Sequence, residues 1–431
     1  MIWRAAIGLI TAAAVGVPNT DSTPCGDPTV LILQLVPGAD IDEVIADFGL
    51  TLLDSIDAQD LHLVIVPAPT AARETDSLDA DPRIEEAEPD DDATAPQAAA
   101  GDTQPIFFYV PPTAFDGQYA MSLIDIDGAH ASATGDGVVI AVLDTGADID
   151  HELLAGRIAP GGYDFVDDDT DIADLATGLD LDEDGFPDEL HGHGTFMAGI
   201  IATVAPDASI LPIRVLDSEG YADVFRVVQG IYYAIDQGVD VINLSLGTRS
   251  HNHILRDAVA DAADAGIIVV TAVGDDDVEH PVQVPAGEDT TLAVAATDND
   301  DVKSDFSNYG EHVSITAPGR GVVSAMPDGA YAEASGTSIS TAFVSGTVAL
   351  LLSADAALTQ AQIELILDQT AHGIDSVNPG LEGLLGAGRL DVAAAVAEAV
   401  PAGPGSSLIG WLGPGQPVVV DEDLLIFLGL E

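Results

Sequence analysis

The stretch Val138-Val139-Ile140-Ala141-Val142-Leu143-Asp144-Thr145-Gly146 decides how this chain is read. An unbroken apolar run that stops at a carboxylate and a glycine turn is the pattern of a strand covered on both faces. The residues around it repeat the theme. Ile210 to Val215, Val239 to Leu246 and Ile267 to Val273 are mostly apolar. Helical periodicity separates them at Phe225 to Gln237 and His253 to Ala265, and Thr337 to Ala354 reads as a long buried helix. Buried strands alternating with helices predict an α/β unit over 118–400, a parallel sheet with helices on both faces.

Upstream, residues 29–88 have a different rhythm. Val30 to Val36, Thr51 to Ile56, Leu61 to Val66 and Arg83 to Ala87 read as strands, with helices expected at Asp40 to Phe48 and Thr70 to Ala80. The order β-α-β-β-α-β is the split, ferredoxin-like α+β arrangement. Residues 89–117 join the two units. The join opens on Pro89-Asp90-Asp91-Asp92 and turns Ala-rich with Pro96, Gly101 and Pro105, a composition that predicts an exposed, flexible linker open to proteolysis. Residues 401–431 are a Pro/Gly/Ser-rich extension with an apolar tail.

The 431 residues carry 11 Lys+Arg against 73 Asp+Glu, a net charge of −62. So anionic a surface repels phosphate backbones and anionic lipid, which excludes nucleic-acid binding. The single cysteine, Cys25, excludes an internal disulfide framework and a Cys-based zinc cluster. Residues 1–20 hold a basic start (Arg4), the apolar run Ala5 to Val17 and small-residue cleavage sites. This reads as a secretory signal peptide, with a retained anchor as the competing reading. The expected location is therefore extracellular, with no stable membrane span after processing.

Three short motifs carry chemistry: Asp144-Thr145-Gly146, His191-Gly192-His193-Gly194-Thr195, and Gly336-Thr337-Ser338-Ile339-Ser340 at the head of the long helix. A serine hydroxyl needs a base to take its proton, a histidine takes one near neutral pH, and a carboxylate fixes the histidine tautomer. A serine at a helix N-terminus also has the dipole and backbone N–H groups to support a developing oxyanion. Taken together, in the order Asp, His, Ser on an α/β pattern, the motifs resemble the subtilisin family of serine proteases. The resemblance covers roughly 118–400, and residues 29–88 resemble the family's inhibitory propeptide.

By that resemblance Ser338 is the nucleophile, His193 the base and acid, and Asp144 the orienting carboxylate. Ser245, Leu246 and Gly247 match the strand that pairs with substrate backbone, and Val273 and Gly274 match the opposite wall. Asp275 stands where the family usually has an oxyanion-binding Asn. An ionised carboxylate cannot donate there, whereas a protonated one can. Asp276, Asp277 and Glu279 read either as a preference for cationic substrate side chains or as a solvated acidic loop. Asp180, Asp182, Asp184 and Asp188, with Gly185 between, follow a calcium-loop spacing, although His191 replaces the closing glutamate.

The resulting expectation is a secreted, subtilisin-like serine endopeptidase made as a zymogen. Its partners would be protein or peptide substrates and its own propeptide, its cofactor structural calcium, and its working state a monomer. The rival is a weak or inactive family member that binds peptides, motivated by Asp275. An aspartic protease built on Asp144 is disfavoured, since such a site needs two carboxylates.

Overall fold

The computed structural model describes residues 29–67, 77–99, 106–180, 185–279, 284–400, 408–411 and 417–420. The leader expected at 1–20 lies outside them, as does most of the helix expected at Thr70 to Ala80.

The small unit holds β1 (Thr29–Leu35), α1 (Ile41–Phe48), β2 (Thr51–Ile56), β3 (Leu61–Val66) and β4 (Ile84–Pro89). They form one antiparallel sheet in the order β2-β3-β1-β4. Helix α1 starts where Asp40 accepts from Asp42 N and stops at Gly49, which is left-handed with φ 69°. Strand alternation splits β1 between two cores. Leu31, Leu33 and Leu35 pack on Val44 of α1. Ile32 points the other way and joins Leu61 and Leu63 in the core of the large unit. The small unit is thus docked through its sheet.

The connection that follows is not the exposed linker its composition suggests. It forms β5 (Asp92–Thr94) and α2 (Pro96–Ala99), and Ala93 and Ala95 are fully buried. The physical reason is partnership: small residues in an acidic, Pro-containing stretch have no core of their own, but they fit a groove on the larger unit.

The large unit continues with β6 (Phe108–Val110), β7 (Val139–Asp144), β8 (Tyr163–Asp164), α3 (His193–Val204), β9 (Ser209–Arg214), β10 (Tyr221–Asp223), α4 (Val224–Gln237), β11 (Val241–Leu244), α5 (His253–Asp264), β12 (Ile268–Ala272), β13 (Thr291–Thr297) and β14 (Ile315–Pro318). Then come β15 (Val322–Met326), β16 (Ala330–Ala334) and α6 (Thr337–Ala354). Seven strands make one parallel sheet in the order β14-β13-β12-β11-β7-β9-β8. Ile140 and Val142 of β7 face a core with Phe196 of α3 and Phe343 of α6. Ala141 and Leu143 face the opposite core with Phe225 of α4 and Leu255 of α5. Both faces are therefore covered, as the uninterrupted apolar run requires.

The chain winds from β7 to β9 on one side and returns through β11 to β14 on the other. The strand order therefore reverses at β7, the place where open α/β sheets hold their ligand sites. Asp144 ends β7 and Ser245 follows β11, so both lie at the carboxyl end of the sheet beside that reversal. Helix α6 passes behind them. It is long and apolar enough to span a bilayer, but 89% of that stretch is buried in protein. In the extension, Leu408–Trp411 pairs antiparallel with Pro417–Val420.

Candidate active site

Asp144 leaves the sheet with its side chain wholly buried. Its Oδ1 accepts from Thr145 N (2.8 Å) and from the His193 ring at Nδ1 (2.7 Å). The bond to a carboxylate puts the His193 proton on Nδ1 and leaves Nε2 as the acceptor. Nε2 is buried and has no hydrogen-bond partner. The ring edge meets Phe107, with centroids 6.5 Å apart.

Two glycines bring Asp144 and His193 together. A Cβ on Gly194 would lie 2.1 Å from Gly146 O, and one on Gly146 would lie 2.8 Å from Ile172 O. Gly194 N also donates to Thr145 Oγ1 (2.9 Å). The turn after β7 and the start of α3 therefore touch backbone to backbone, which only glycine permits.

Ser338 enters from the other side as the second residue of α6, and it is fully buried. Its Oγ donates to Gln97 Oε1 (3.0 Å) rather than to His193. Gln97 belongs to α2, so the connecting segment covers the serine. That segment runs through the cleft as an added strand. Thr94 exchanges both backbone bonds with Gly247 (2.9 and 3.0 Å), Ala95 N donates to Gly220 O (3.0 Å), and β5 pairs with β10 on its other edge. This is peptide recognition by strand addition, with the chain itself as the peptide.

Ser245, Leu246 and Gly247 are all buried along that strand, and Ser245 Oγ donates to Ser338 O (3.3 Å). Val273 and Gly274 form the facing wall. Gly274 has φ 103°, and its N donates to Thr337 Oγ1 (3.2 Å). Asp275 comes next. Its Oδ1 accepts from Thr337 N (2.9 Å) and Thr337 Oγ1 (2.7 Å). Its Oδ2 and Gln97 Nε2 converge on Gly336, 2.9 and 1.9 Å from where a Cβ would sit. The residue is partly exposed, but its carboxyl lies deep in protein. That burial pushes its pKa up to about 6, against the opposing pull of the Thr337 bonds.

Two of the acidic residues after it have partners within the protein. Asp276 pairs with Arg249, and Asp277 with Lys303 (2.7 Å). Two of the three charges of that loop are thus met within the protein, while Glu279 is exposed. The loop expected to hold calcium is described only in part. Asp182 and Asp184 lie outside the described residues. Asp180 Oδ2 accepts from Gly185 N (3.0 Å). Asp188, expected as a ligand, spends Oδ1 on Thr177 N (2.6 Å) and Oγ1 (3.0 Å), and Oδ2 on Gly178 N (2.6 Å). Asp188 ties the loop to Thr177 and Gly178.

Residue patterns missed three members of this site. Gln97 sits in a segment whose composition pointed to solvent. Asn308 holds the Asp275 loop by donating to Val273 O (2.9 Å) and accepting from Asp276 N (3.0 Å) and Val278 N (3.1 Å). Asp174 binds the backbone on both sides of His193. None belongs to a local motif. Only the small Ala93 and Ala95 on alternate positions hinted that the linker was a bound strand.

Comparison with known proteins agrees with this layout. The model of the subtilase family matches residues 135–388. Thermitase of Thermoactinomyces vulgaris is 41% identical over 246 residues, 55% of this chain and 82% of its own. The chain belongs to the subtilase family. It is a serine-type endopeptidase. Subtilisin E of Bacillus subtilis is 34% identical over 266 residues, 59% of this subtilase and 65% of its own length. Among solved structures, a cold adapted subtilisin-like serine proteinase aligns with TM-score 0.52 and 31% identity, over 60% of this subtilase and 89% of that chain. Fervidolysin from Fervidobacterium pennivorans, described as a keratinolytic enzyme related to subtilisin, aligns over 90% of this subtilase and 63% of its own chain. At TM-score 0.71 and 21% identity it shares the fold.

Proposed function

We propose that this subtilase cuts peptide bonds with Ser338 as nucleophile, His193 as base and then acid, and Asp144 as the carboxylate holding the ring. We further propose that it is made as a secreted zymogen whose residues 29–88 are the propeptide, with the cut falling inside 89–117. One observation carries the reading. The buried Asp144–His193 pair has Nε2 open, and Ser338 Oγ is held by Gln97 of a strand lying in the cleft. Once that strand leaves, substrate backbone takes its place on Gly247. Ser338 Oγ then bonds to the substrate carbonyl carbon while its proton passes to His193 Nε2, and the carbonyl oxygen becomes an oxyanion. His193 gives the proton to the leaving amine as the C–N bond breaks, and water repeats the sequence on the acyl-enzyme.

Fluorophosphonate labelling of the processed protein tests this directly. Wild type is expected to label, and Ser338→Ala to stay unlabelled. A folded, processed wild type that does not label supports the rival, a weak or inactive subtilase that binds peptides.

Asp275 sets a pH dependence. Below about 6 its carboxyl is protonated and Oδ2 can donate to the oxyanion; above that it is charged and repels it. A lost oxyanion donor costs about 10²- to 10³-fold in turnover, a figure that comes from subtilisin-type sites. The ratio of kcat for Asp275→Asn over wild type is therefore expected near one at pH 5 and to climb toward that range by pH 8. Superimposable profiles would remove Asp275 from the oxyanion site.

The docked propeptide is pH-sensitive too. Glu88 Oε2 caps α5 by accepting from His253 N (2.8 Å) and Ile254 N (3.2 Å). The His253 ring faces Glu86 and Glu88, both at 3.1 Å, and its hydrogen bond to Glu86, then the Glu88 charge, raise its pKa. Asp90 Oδ1 caps α4 through Phe225 N (3.0 Å), and burial, with Asp223 nearby, holds it well above the usual carboxylate range. Both groups bind protons more tightly docked than free. Docking is then strongest at low pH and weakens as pH rises through their raised values. Release of residues 29–88 is expected to speed up from pH 5 to pH 9, with a flatter response in His253→Gln with Asp90→Asn. A double variant with the wild-type slope would sink this account.

For calcium, the proposal is a site held by Asp180, Asp182, Asp184 and Asp188. EDTA is expected to lower the melting temperature, and an unchanged Tm in EDTA removes the ion.

A further inference from the structure

We infer that Asp174 is a positioning residue for His193: its buried carboxylate fixes the turn that carries the imidazole and offsets the positive end of the helix on which that imidazole sits. This rests on the reading of His193 as the base.

The need for such a residue comes from the sequence of α3 itself. The helix opens Gly192-His193-Gly194-Thr195, and its N-cap, Gly192, has no side chain with which to cap the free N–H groups. His193 therefore sits at an uncapped helix N-terminus. There the dipole disfavours the imidazolium that must form during the reaction.

Asp174 supplies what the helix lacks, from eighteen residues upstream of Gly192. Its Oδ1 accepts from Gly192 N (2.9 Å). Its Oδ2 accepts from Thr195 N (3.2 Å) and Thr195 Oγ1 (2.8 Å). Its backbone oxygen meets the His191 ring at 3.2 Å. The residues on both sides of His193 are thus held by one side chain, itself 4% exposed.

The same clamp reaches the turn after β7. Thr195 Oγ1 accepts from Asp148 N (3.0 Å), and Ala147 N donates to Ile172 O (2.9 Å). Asp174 therefore holds α3 in register with the turn that carries Asp144. Burial pushes its carboxyl up, while the Gly192 and Thr195 bonds and the nearby His191 oppose that shift. All three bonds donate toward the carboxyl, so the ionised form is the one that satisfies the site. An unpaired buried carboxylate is expensive, and here the helix N-terminus makes it tolerable.

Asp144 from β7 is bonded to the His193 ring and Asp275, from the loop after β12, lies within reach of its charge, while Asp174 and His191 stand at the backbone around the start of α3. Asp174→Asn keeps an acceptor but removes the charge. It is expected to lower kcat by about tenfold or more, to leave KM within about twofold, and to move the acid limb of kcat/KM to lower pH, since the imidazolium loses a nearby negative charge. A structural defect alone lowers activity without moving that limb.

The measurement uses full-length chain allowed to mature, with a peptide amide substrate and fluorophosphonate labelling. Thr195→Val runs beside it. That variant removes both Thr195 Oγ1 bonds of the clamp, to Asp174 and from Asp148 N, and keeps the charge, so it should lower kcat with the acid limb in place. Folded Asp174→Asn with wild-type kcat and an unmoved acid limb overturns the proposal. If Asp174→Asn does not fold, wild-type kcat in Thr195→Val overturns it instead. His193→Ala separates the two levels. If it still labels, the reading of His193 as base has failed. If it is silent while Asp174→Asn behaves as wild type, only the role of Asp174 has failed.

Discussion

The hydrogen bond between Asp144 Oδ1 and His193 Nδ1, 2.7 Å long and sealed from water, is the contact on which the rest of the site depends. It requires a strand end and a helix start to meet with no room for a Cβ between them. That explains why Gly146 and Gly194 face one another. It also requires β7 to be central, so that its carboxyl end opens where the strand order reverses. The apolar run ahead of Asp144 secures this, because only a strand with helices on both faces buries every residue of it.

The cleft beside that contact is filled by the chain's own connecting segment. Backbone pairing of Thr94 with Gly247, and of β5 with β10, is generic to any extended peptide. The contact of Gln97 with Ser338 is made by side chains instead. It turns the serine hydroxyl away from His193, so the three residues are assembled but not joined. A rigid scaffold and a removable strand are enough to describe both the closed form and the open one proposed to follow it.

The excess of 73 acidic over 11 basic residues finds a structural use beyond the surface. With so few cations, buried carboxylates are met by backbone N–H groups. Asp174 serves the start of α3, Asp90 that of α4 and Glu88 that of α5. Each is a helix N-terminus, where the dipole favours negative charge. Glu88 comes from β4 of the small sheet and Asp90 from the segment just after it, so the same device holds the two units together.

The sequence alone determined the parallel sheet, the order of the two units and the three motifs, because hydrophobic period and glycine turns are local signals. Helix α6 runs over the expected residues, Thr337–Ala354. It misjudged residues 89–99, since a stretch with no core of its own looks exposed until its groove is known. Carboxylate spacing did not reveal that Thr177 and Gly178 donate to Asp188. Gln97, Asn308 and Asp174 became visible only in three dimensions. Each acts on residues far away along the chain, and only tertiary packing decides which distant backbone group a lone polar side chain will meet.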